Sequence, residues 1–227
     1  MSALEGKVPL KLLWLSKVSS TQEVAKRLSF NCAVLSNIQT SGKGTAGKSW
    51  HSESGGLYLS VNVEQPKKSL ELLSLAMGVA VAKLLEGFNL LVGIKWVNDI
   101  YFQDKKLAGI LIENSKNSSI IGIGINVNQV SFPKELNATS LYLILQRELS
   151  LKELALELLS QVFIYLEVLS KAPERIVQEV SKKLLYVGKL ATSGSIKGTF
   201  IGISENGYAL LKSNGKVYQV RSGELKF

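Results

Sequence analysis

The chain combines two patterns of apolar residues, one typical of strands and one typical of helices. Short β-rich runs predict strands at 10–15, 33–38, 57–63, 92–97, 106–113 and 119–127. The stretch 70–88 is apolar on most sides and predicts a buried helix. Apolar residues then recur at helical spacing after Ser150, which predicts a second long helix. We therefore expect a mixed sheet with flanking helices.

Local start signals add detail to the helices. Ser20 with Glu23, and Ser150 with Glu153, each match a capping box, in which serine and glutamate bond the free amides of the first turn. Pro173 suits the first turn of a shorter helix.

The sequence changes character after about Leu184. Short β-rich runs alternate there with turn residues, including Asn-Gly pairs at 206–207 and 214–215, which are strong hairpin signals. These roughly 44 residues suit five strands of about five residues each, so we expect a five-stranded mini-barrel. The fold class is α+β, with one domain over 1–183 and a small all-β domain over 184–227.

Composition narrows the class of protein. Hydrophobic residues make up 46% and charged residues 20% of the 227 positions, which excludes a disordered chain, a collagen and a disulfide scaffold. No apolar run reaches the roughly 20 residues that cross a bilayer, and the first residues contain no signal-like apolar segment. Single copies of cysteine (Cys32) and histidine (His51) exclude an intrachain disulfide and a multi-histidine metal site. We expect a cytoplasmic protein without a membrane partner.

The net charge is +9, from 27 basic and 18 acidic side chains. Such an excess suits a nucleic acid, an acidic protein partner or simply a solvated basic surface. Only four of the basic residues are arginine, whereas readers of bases and phosphates are usually arginine-rich. The charge therefore gives little support to a nucleic acid.

Three segments combine glycine with charged or amide side chains. Gly42–Trp50 holds three glycines and two lysines, and such a backbone can approach and cradle an anion, although a mobile surface loop has the same composition. Lys95–Asp99 and the run 105–113 flank a turn, as an ordinary charged hairpin also would. Alternate glycines over 121–128 indicate close approach of a ligand or tight sheet packing.

In this order, the segments resemble the biotin protein ligases, over nearly the whole chain. Residues 19–22 match the family's Ser-Thr-Asn start, and residues 42–50 match its glycine-rich biotin loop. The Lys-Trp-Pro-Asn-Asp motif is matched at 95–99, the Lys-Leu-Ala-Gly-Ile strand at 106–110 and the Gly-x-Gly-x-Asn strand at 122–128. Residues 222–225 match the end of the family's SH3-like domain. The resemblance implies a class II synthetase-like mixed sheet with a C-terminal SH3-like β-barrel. It further implies a ligase that forms biotinyl-5′-AMP from biotin and ATP with Mg²⁺, and then transfers biotin to a lysine of a carrier protein.

The family positions assign the site residues. Catalytic roles fall to Lys106, Lys43 and Asp99, with Asp99 also the Mg²⁺ ligand and a candidate base or orienting group in the second step. Biotin contacts fall to Ser20, Thr21, Gln39, Gly42, Lys43, Lys106 and Gly109. Contacts with ATP and the adenylate fall to Lys43, Lys48, Trp50, Asn98, Asp99, Lys106 and Asn126. Lys95 is expected to brace Asp99, and Ser20 to serve as a helix cap, a biotin contact or both.

Three positions depart from the family pattern. Gln22 replaces the asparagine of the start motif with a longer amide, and Val97 replaces a proline. Thr45 stands where the loop usually has arginine, so one contact with the adenylate is expected to be missing unless Lys43 and Lys48 compensate.

The resemblance also implies partners and rivals. The protein substrate would be the biotin carboxyl carrier domain of a biotin-dependent carboxylase, and the ligase a homodimer through a sheet edge. The strand near Ile121 is one candidate for that edge, although a buried central strand would have the same sequence pattern. The match begins about ten residues in, so we expect no winged helix and no DNA partner. A lipoate ligase or octanoyltransferase is the enzymatic alternative, and a non-catalytic basic nucleic-acid-binding module is the other.

Overall fold

The computed structural model describes residues 11–227. The expectation that the chain begins without a signal-like segment, and the first residue of the predicted strand 10–15, lie outside the described residues. No helix within 11–227 is both long and apolar enough to cross a bilayer.

A seven-stranded mixed sheet forms the centre of the molecule, in the order β1-β2-β3-β7-β6-β5-β4. The first two strands are parallel, and every other neighbouring pair is antiparallel. The strands are β1 (Lys11–Leu15), β2 (Cys32–Ser36), β3 (Leu57–Glu64), β4 (Gly93–Lys95), β5 (Asp99–Phe102), β6 (Lys105–Asn114) and β7 (Ser118–Ile125). The predicted strands are therefore present, and β5 is an addition. Because β7 lies between β3 and β6, the suggestion that the strand near Ile121 is a free edge is wrong.

Helices cover the two faces of the sheet unequally. The helices are α1 (Thr21–Lys26), α2 (Leu73–Glu86), α3 (Leu141–Leu145), α4 (Leu151–Lys171) and α5 (Pro173–Ser181). The helices α2, α4 and α5 pack together on one face, where α2 is buried on nearly every side. The short α1 packs on the opposite face, where Ala25 meets Val34 and Ile120 in a small separate core. Much of that second face remains free for a ligand.

The C-terminal residues form a second, antiparallel sheet in the order β11-β10-β9-β8. Its strands are β8 (Leu190–Ser193), β9 (Ile196–Ile203), β10 (Ala209–Ser213) and β11 (Lys216–Val220). The prediction of five strands is wrong, because the chain after β11 contributes only one bridge, between Lys226 and Thr192. Gly223 has a φ of +101°, a conformation that favours glycine, so the chain turns after β11. The domain boundary at 183/184 stays a prediction.

Two contacts join the second sheet to the first. The buried indole of Trp96 donates to the carbonyl of Gly207, in the turn between β9 and β10, at 2.8 Å. A side chain at Gly207 would collide with Leu72 and Leu75 beside α2, so the turn approaches this layer as closely as glycine permits. The second sheet therefore has a fixed seat against the main one.

Of the two predicted capping boxes, only one has a serine that caps its helix. Ser150 caps α4, and its hydroxyl accepts the amide of Glu153 at 3.3 Å. Ser20 occupies the N-cap position of α1, yet its hydroxyl makes no capping bond and is buried without a partner. The predicted box at Ser20 is therefore not formed, and its hydroxyl is left free for another role.

We predict that Ser150→Ala lowers the free energy of unfolding by about 1 kcal/mol, the usual loss for a serine cap. Ser20→Ala removes no capping bond and takes away a buried hydroxyl that has no partner, so its loss should be clearly smaller than that of Ser150→Ala. Urea denaturation of both variants checks this, and an equal loss in the two would contradict it.

Candidate active site

A cavity of about 350 Å³ opens on the face of the main sheet that α2, α4 and α5 leave uncovered. Its volume lies in the range typical of small-molecule sites. It is lined by the start of α1, the loop after β2, strands β3 to β7 and the C-terminal tail. Ten of the site residues expected from the sequence line it: Ser20, Thr21, Gln39, Lys43, Lys48, Trp50, Asn98, Asp99, Lys106 and Gly109.

A β-bulge in β6 brings Lys106 to this face. Opposite β5, Ile100 pairs with Ala108 but Tyr101 pairs with Lys106, so Leu107 is an extra residue in the strand. Leu107 and Ala108 both enter the core under the helices, whereas Lys106 joins Gly109 in lining the cavity. Strict alternation would have put Lys106 on the core side with Ala108. Bulges commonly re-aim a side chain beside an active site.

Lys106 and Asp99 form an ion pair inside the cavity. The ammonium lies 2.7 Å from Asp99 Oδ1, and the two side chains are 29% and 19% exposed. The contact is coulombic rather than a well-directed hydrogen bond, so Oδ1 keeps capacity to accept. Lys95 is the cross-strand partner of Asp99, as expected of a brace, but the ion pair to Asp99 comes from Lys106, and the Lys95 ammonium lies 4.0 Å from Glu224.

The Trp50 indole packs against a shelf formed by two glycines of the sheet, Gly109 and Gly124. A side chain at Gly109 or Gly124 would come within 2.7 or 2.6 Å of the indole, so only glycine leaves room for it. The Lys106 ammonium lies 5.0 Å from the centre of the indole, within reach of a cation–π contact. The indole Nε1 is buried without a partner, and an added side chain at Gly124 would come within 2.6 Å of it, so the two glycines allow tight packing of the indole.

Hydrogen bonds organise the other end of the cavity. Gln39 accepts from the Thr21 amide at 2.8 Å and donates to Ser52 at 2.9 Å. Ser60 contacts the Thr21 hydroxyl at 2.8 Å and donates to Gln22 at 2.9 Å. These side chains are fixed before any ligand enters, whereas Ser20 Oγ has no partner.

The departure at Gln22 is accommodated by the sheet. Its amide donates to the Ile120 carbonyl at 3.1 Å, and a side chain at Gly122 would come within 2.6 Å of Gln22 Oε1. The longer amide therefore fits because β7 has glycine at that point.

The loop Gly42–Trp50 forms a narrow hairpin anchored on both arms. Gly44 donates to Lys48 at 2.7 Å, and Trp50 donates to Gly42 at 2.9 Å. On one arm Lys43 lies 2.5 Å from Glu23 of α1; on the other Lys48 lies 2.7 Å from Glu224 of the C-terminal tail.

Both acidic partners of the loop are held in the charged form. The hydrogen bond from Lys43, followed by that from Lys26, lowers the pKa of Glu23 to about 2. The hydrogen bond from Lys48 lowers the pKa of Glu224, and the same contact raises the pKa of Lys48.

Two expected site residues lie outside the lining. Gly42, the first residue of the loop, is buried, and a side chain there would come within 2.3 Å of Ser52. Asn126 is buried, and its amide donates to the carbonyls of Thr139 at 2.9 Å and Lys106 at 3.4 Å. Asn126 therefore supports the start of β6 from behind.

Several lining residues were missed by the sequence reasoning. Ser60 and Tyr58 belong to β3, whose alternation predicts a strand but not which face meets a ligand. Gly223 and Glu224 reach the cavity from the far end of the chain. The motif at 222–225 was the available signal, but nothing in its composition indicates a contact with the loop.

The described residues hold no cluster of three or more histidine, cysteine, aspartate or glutamate side chains that would bind a metal by themselves. The cavity nevertheless offers the Asp99 carboxylate among cationic side chains. Mg²⁺ commonly binds through one or two carboxylates together with substrate phosphates. Asp99 fits an ion that arrives with a nucleotide.

Known proteins resemble this chain in both sequence and structure. The bifunctional ligase/repressor BirA of Bacillus spizizenii is 40% identical over 148 residues, which span 57% of this chain and 46% of that protein. The biotin–[acetyl-CoA-carboxylase] ligase of Mycobacterium tuberculosis is 35% identical over 116 residues, which span 48% and 44%. The chain thus matches less than half the length of these two relatives.

A solved structure matches almost end to end. The biotin protein ligase of Aquifex aeolicus, in complex with biotin and ATP, superposes with a TM-score of 0.88 at 37% identity, covering 95% of this chain and 97% of that one. This confirms the expected mixed sheet with flanking helices. The model of the biotin/lipoate A/B protein ligase family matches residues 16–129, half of the chain. On this evidence, the chain belongs to the biotin/lipoate A/B protein ligase family.

Proposed function

We propose that this chain is an ATP-dependent biotin protein ligase. It forms biotinyl-5′-AMP from biotin and ATP and then transfers biotin to a lysine of a biotin carboxyl carrier domain. The observation that carries the proposal is the bulge that places Lys106 beside Asp99, at the centre of a cavity with a polar, preorganised end. The likeness to a ligase solved with biotin and ATP supports the choice of substrates.

In the first step two anions must meet. A carboxylate oxygen of biotin attacks the α-phosphorus of ATP, the bond to the β-phosphate breaks, and pyrophosphate leaves. A fixed cation between the two anions offsets their repulsion and the charge that develops. Lys106 occupies this place, because it lines the cavity and is held by Asp99.

The biotin ring suits the hydrogen-bonded end of the cavity. An ureido group needs both donors and acceptors in an otherwise apolar slot. Ser20 Oγ is buried and unpartnered, and Thr21 and Gln39 are fixed beside it. We assign the ring to these three residues, with Gly109 and Lys106 along the valeryl chain.

The nucleotide suits the opposite side. Lys43 and Lys48 supply cations for the phosphates, and the indole of Trp50 suits an adenylate. Asn98 bonds the Ile110 carbonyl at 2.9 Å and so fixes the turn that presents Asp99. Asn126 holds the strand of Lys106, and its contact with the nucleotide stays a prediction.

Asp99 would hold Mg²⁺ against the phosphates, and a bound Mg²⁺ supplies Lewis-acid neutralisation of the triphosphate. In the second step the carrier lysine must lose a proton before its nitrogen attacks the biotinyl carbonyl and AMP leaves. We assign the Asp99 carboxylate, which lines the cavity, to accept or orient that proton.

The direct test incubates the protein with ATP, Mg²⁺ and a purified biotin carboxyl carrier domain, with biotin or lipoate added. Mass spectrometry of the carrier should find one biotinyl group on one lysine, and none without ATP. Modification with lipoate alone would assign the chain to the lipoate side of its family. No modification with either would contradict the proposal.

The carrier lysine belongs to an acidic partner in this proposal, because the chain carries a net charge of +9. We place the reaction in the cytoplasm, where ATP is available and the buried thiol of Cys32 stays reduced. The absence of a DNA partner stays a prediction.

A homodimer is also part of the proposal, through the second half of β6. Beyond Ile110, which bonds Asn98, this strand pairs only with β7 among the described residues. The amides and carbonyls of Ile112 and Asn114 therefore face outward without a strand. Such an edge is a template for pairing with a second copy.

We predict that Lys106→Ala slows formation of biotinyl-5′-AMP by two to three orders of magnitude, because loss of one preorganised charge contact costs roughly 2.7–4 kcal/mol. Lys105→Ala is the matched control, since its side chain is exposed and does not line the cavity. Rapid-quench assays of the labelled adenylate check both, and equal losses would contradict the assignment of Lys106.

Asp99→Asn should weaken Mg²⁺-dependent ATP binding by tenfold or more, about 1.4 kcal/mol, and weaken biotin binding less, because the amide lacks the anionic oxygen that Mg²⁺ prefers. Asp104→Asn, in the exposed turn of the same hairpin, is the control. Calorimetry with each ligand separately decides. Unchanged affinity for ATP in Asp99→Asn would remove the metal from its role.

For the dimer, we predict that wild type sediments as two chains and Ile112→Pro as one, because proline removes an outward amide without touching the ladder to β7. Trp14→Lys on the edge strand β1 is the control. Dissociation by Trp14→Lys instead would move the interface to the other edge of the sheet.

A further inference from the structure

Glu23 is the acidic group nearest the loop that no step above uses. It is the third residue of α1, where the sequence predicts a bond back to the backbone of Ser20. In the structure the carboxylate turns away instead and contacts Lys43 at 2.5 Å and Lys26 at 2.9 Å. Glu23 therefore contacts the loop instead of capping α1.

A second ion pair fixes this carboxylate. Lys26 bonds Glu23 and also bonds Glu113 of β6 at 2.8 Å. Glu23 is therefore tied to its own helix and, through Lys26, to the sheet. An anchored carboxylate can hold a flexible lysine, whereas a free pair of exposed side chains contributes little.

Lys43 lines the cavity while it is paired with Glu23, whereas Glu23 itself is not part of the lining. An ammonium has three donors, so Lys43 can keep Glu23 and offer the remaining two to an anionic ligand. The pair therefore holds Lys43 at the cavity rather than drawing it away. This matters more here because Thr45, at the tip of the loop, is exposed and neutral.

We propose that Glu23 is a positioning residue that holds Lys43, and with it one arm of the loop, over the bound adenylate. The inference rests on the proposed function and deepens it. Glu23 touches no substrate; it acts through Lys43. By holding Lys43, Glu23 contributes part of the adenylate retention that a charged residue at position 45 would provide.

The test measures release of labelled biotinyl-5′-AMP from the full-length enzyme without carrier. Glu23→Gln should release it about threefold faster than wild type, the scale of an exposed but anchored ion pair. It should also raise the KM for biotin and the KM for ATP, because Lys43 is assigned contacts with both ligands. Glu153→Gln is the matched control, because Glu153 has the same helical position behind Ser150 in α4 and does not line the cavity.

A double-mutant cycle separates positioning from a structural effect. Lys43→Gln should accelerate release, and adding Glu23→Gln to it should change nothing further. The difference between wild type and Glu23→Gln should also stay constant from pH 6 to 9. The lowered pKa of Glu23 means that the ion pair is present above the ordinary carboxyl pKa and is lost only in acid, toward about pH 2.

The outcomes separate the two proposals. If wild type forms no biotinyl-5′-AMP, the proposed function fails. If wild type forms it and Glu23→Gln releases it at the wild-type rate or more slowly, Glu23 does not position the loop. An acceleration that persists undiminished in the Lys43→Gln background also overturns the inference, because it would not pass through Lys43.

Discussion

One extra residue in β6 decides what this sheet can do. With Leu107 bulged, two consecutive apolar side chains enter the core and Lys106 moves to the open face. There it meets Asp99, which faces the same way because Asp99 pairs with Gly109 across the hairpin. Without the bulge a lysine would be pushed toward the apolar layer, where an unpaired charge is very costly. The cation, its carboxylate and the shelf under Trp50 all depend on this local shift of register.

Around that pair, several polar groups make no hydrogen bond with their local secondary structure and line the cavity instead. Ser20 sits at a helix start without capping it, and Trp50 keeps a buried N–H without a partner. The loop lysines are held by Glu23 and Glu224, from opposite ends of the chain. The C-terminal tail reaches the cavity because the second sheet is seated by Trp96 and Gly207. The structure thus keeps a ligand-sized space open and charged, with its donors already oriented.

Local signals in the sequence predict the parts of the fold that local chemistry determines. Periodicity and the Ser150 cap locate α4, and alternation locates β3. What they cannot supply is pairing. The bulge at Leu107 exists only relative to β5, and the contact of Lys48 with Glu224 joins residues 176 positions apart. Most site residues expected from the family resemblance line the cavity. The resemblance gave no sign that the amide nitrogen of Asn126 donates to two carbonyls, and the contact of Asn126 with the nucleotide stays a prediction.

The arrangement around Lys106 and Asp99 should let a carboxylate attack the α-phosphate of ATP before any carrier protein binds. Isotope exchange between pyrophosphate and ATP measures that step alone, because the reverse reaction returns labelled pyrophosphate to ATP only if the adenylate has formed. We expect the isolated protein to catalyse this exchange only when Mg²⁺ and biotin are both present. Exchange that proceeds without biotin, that responds to lipoate in its place, or that does not occur at all would contradict it.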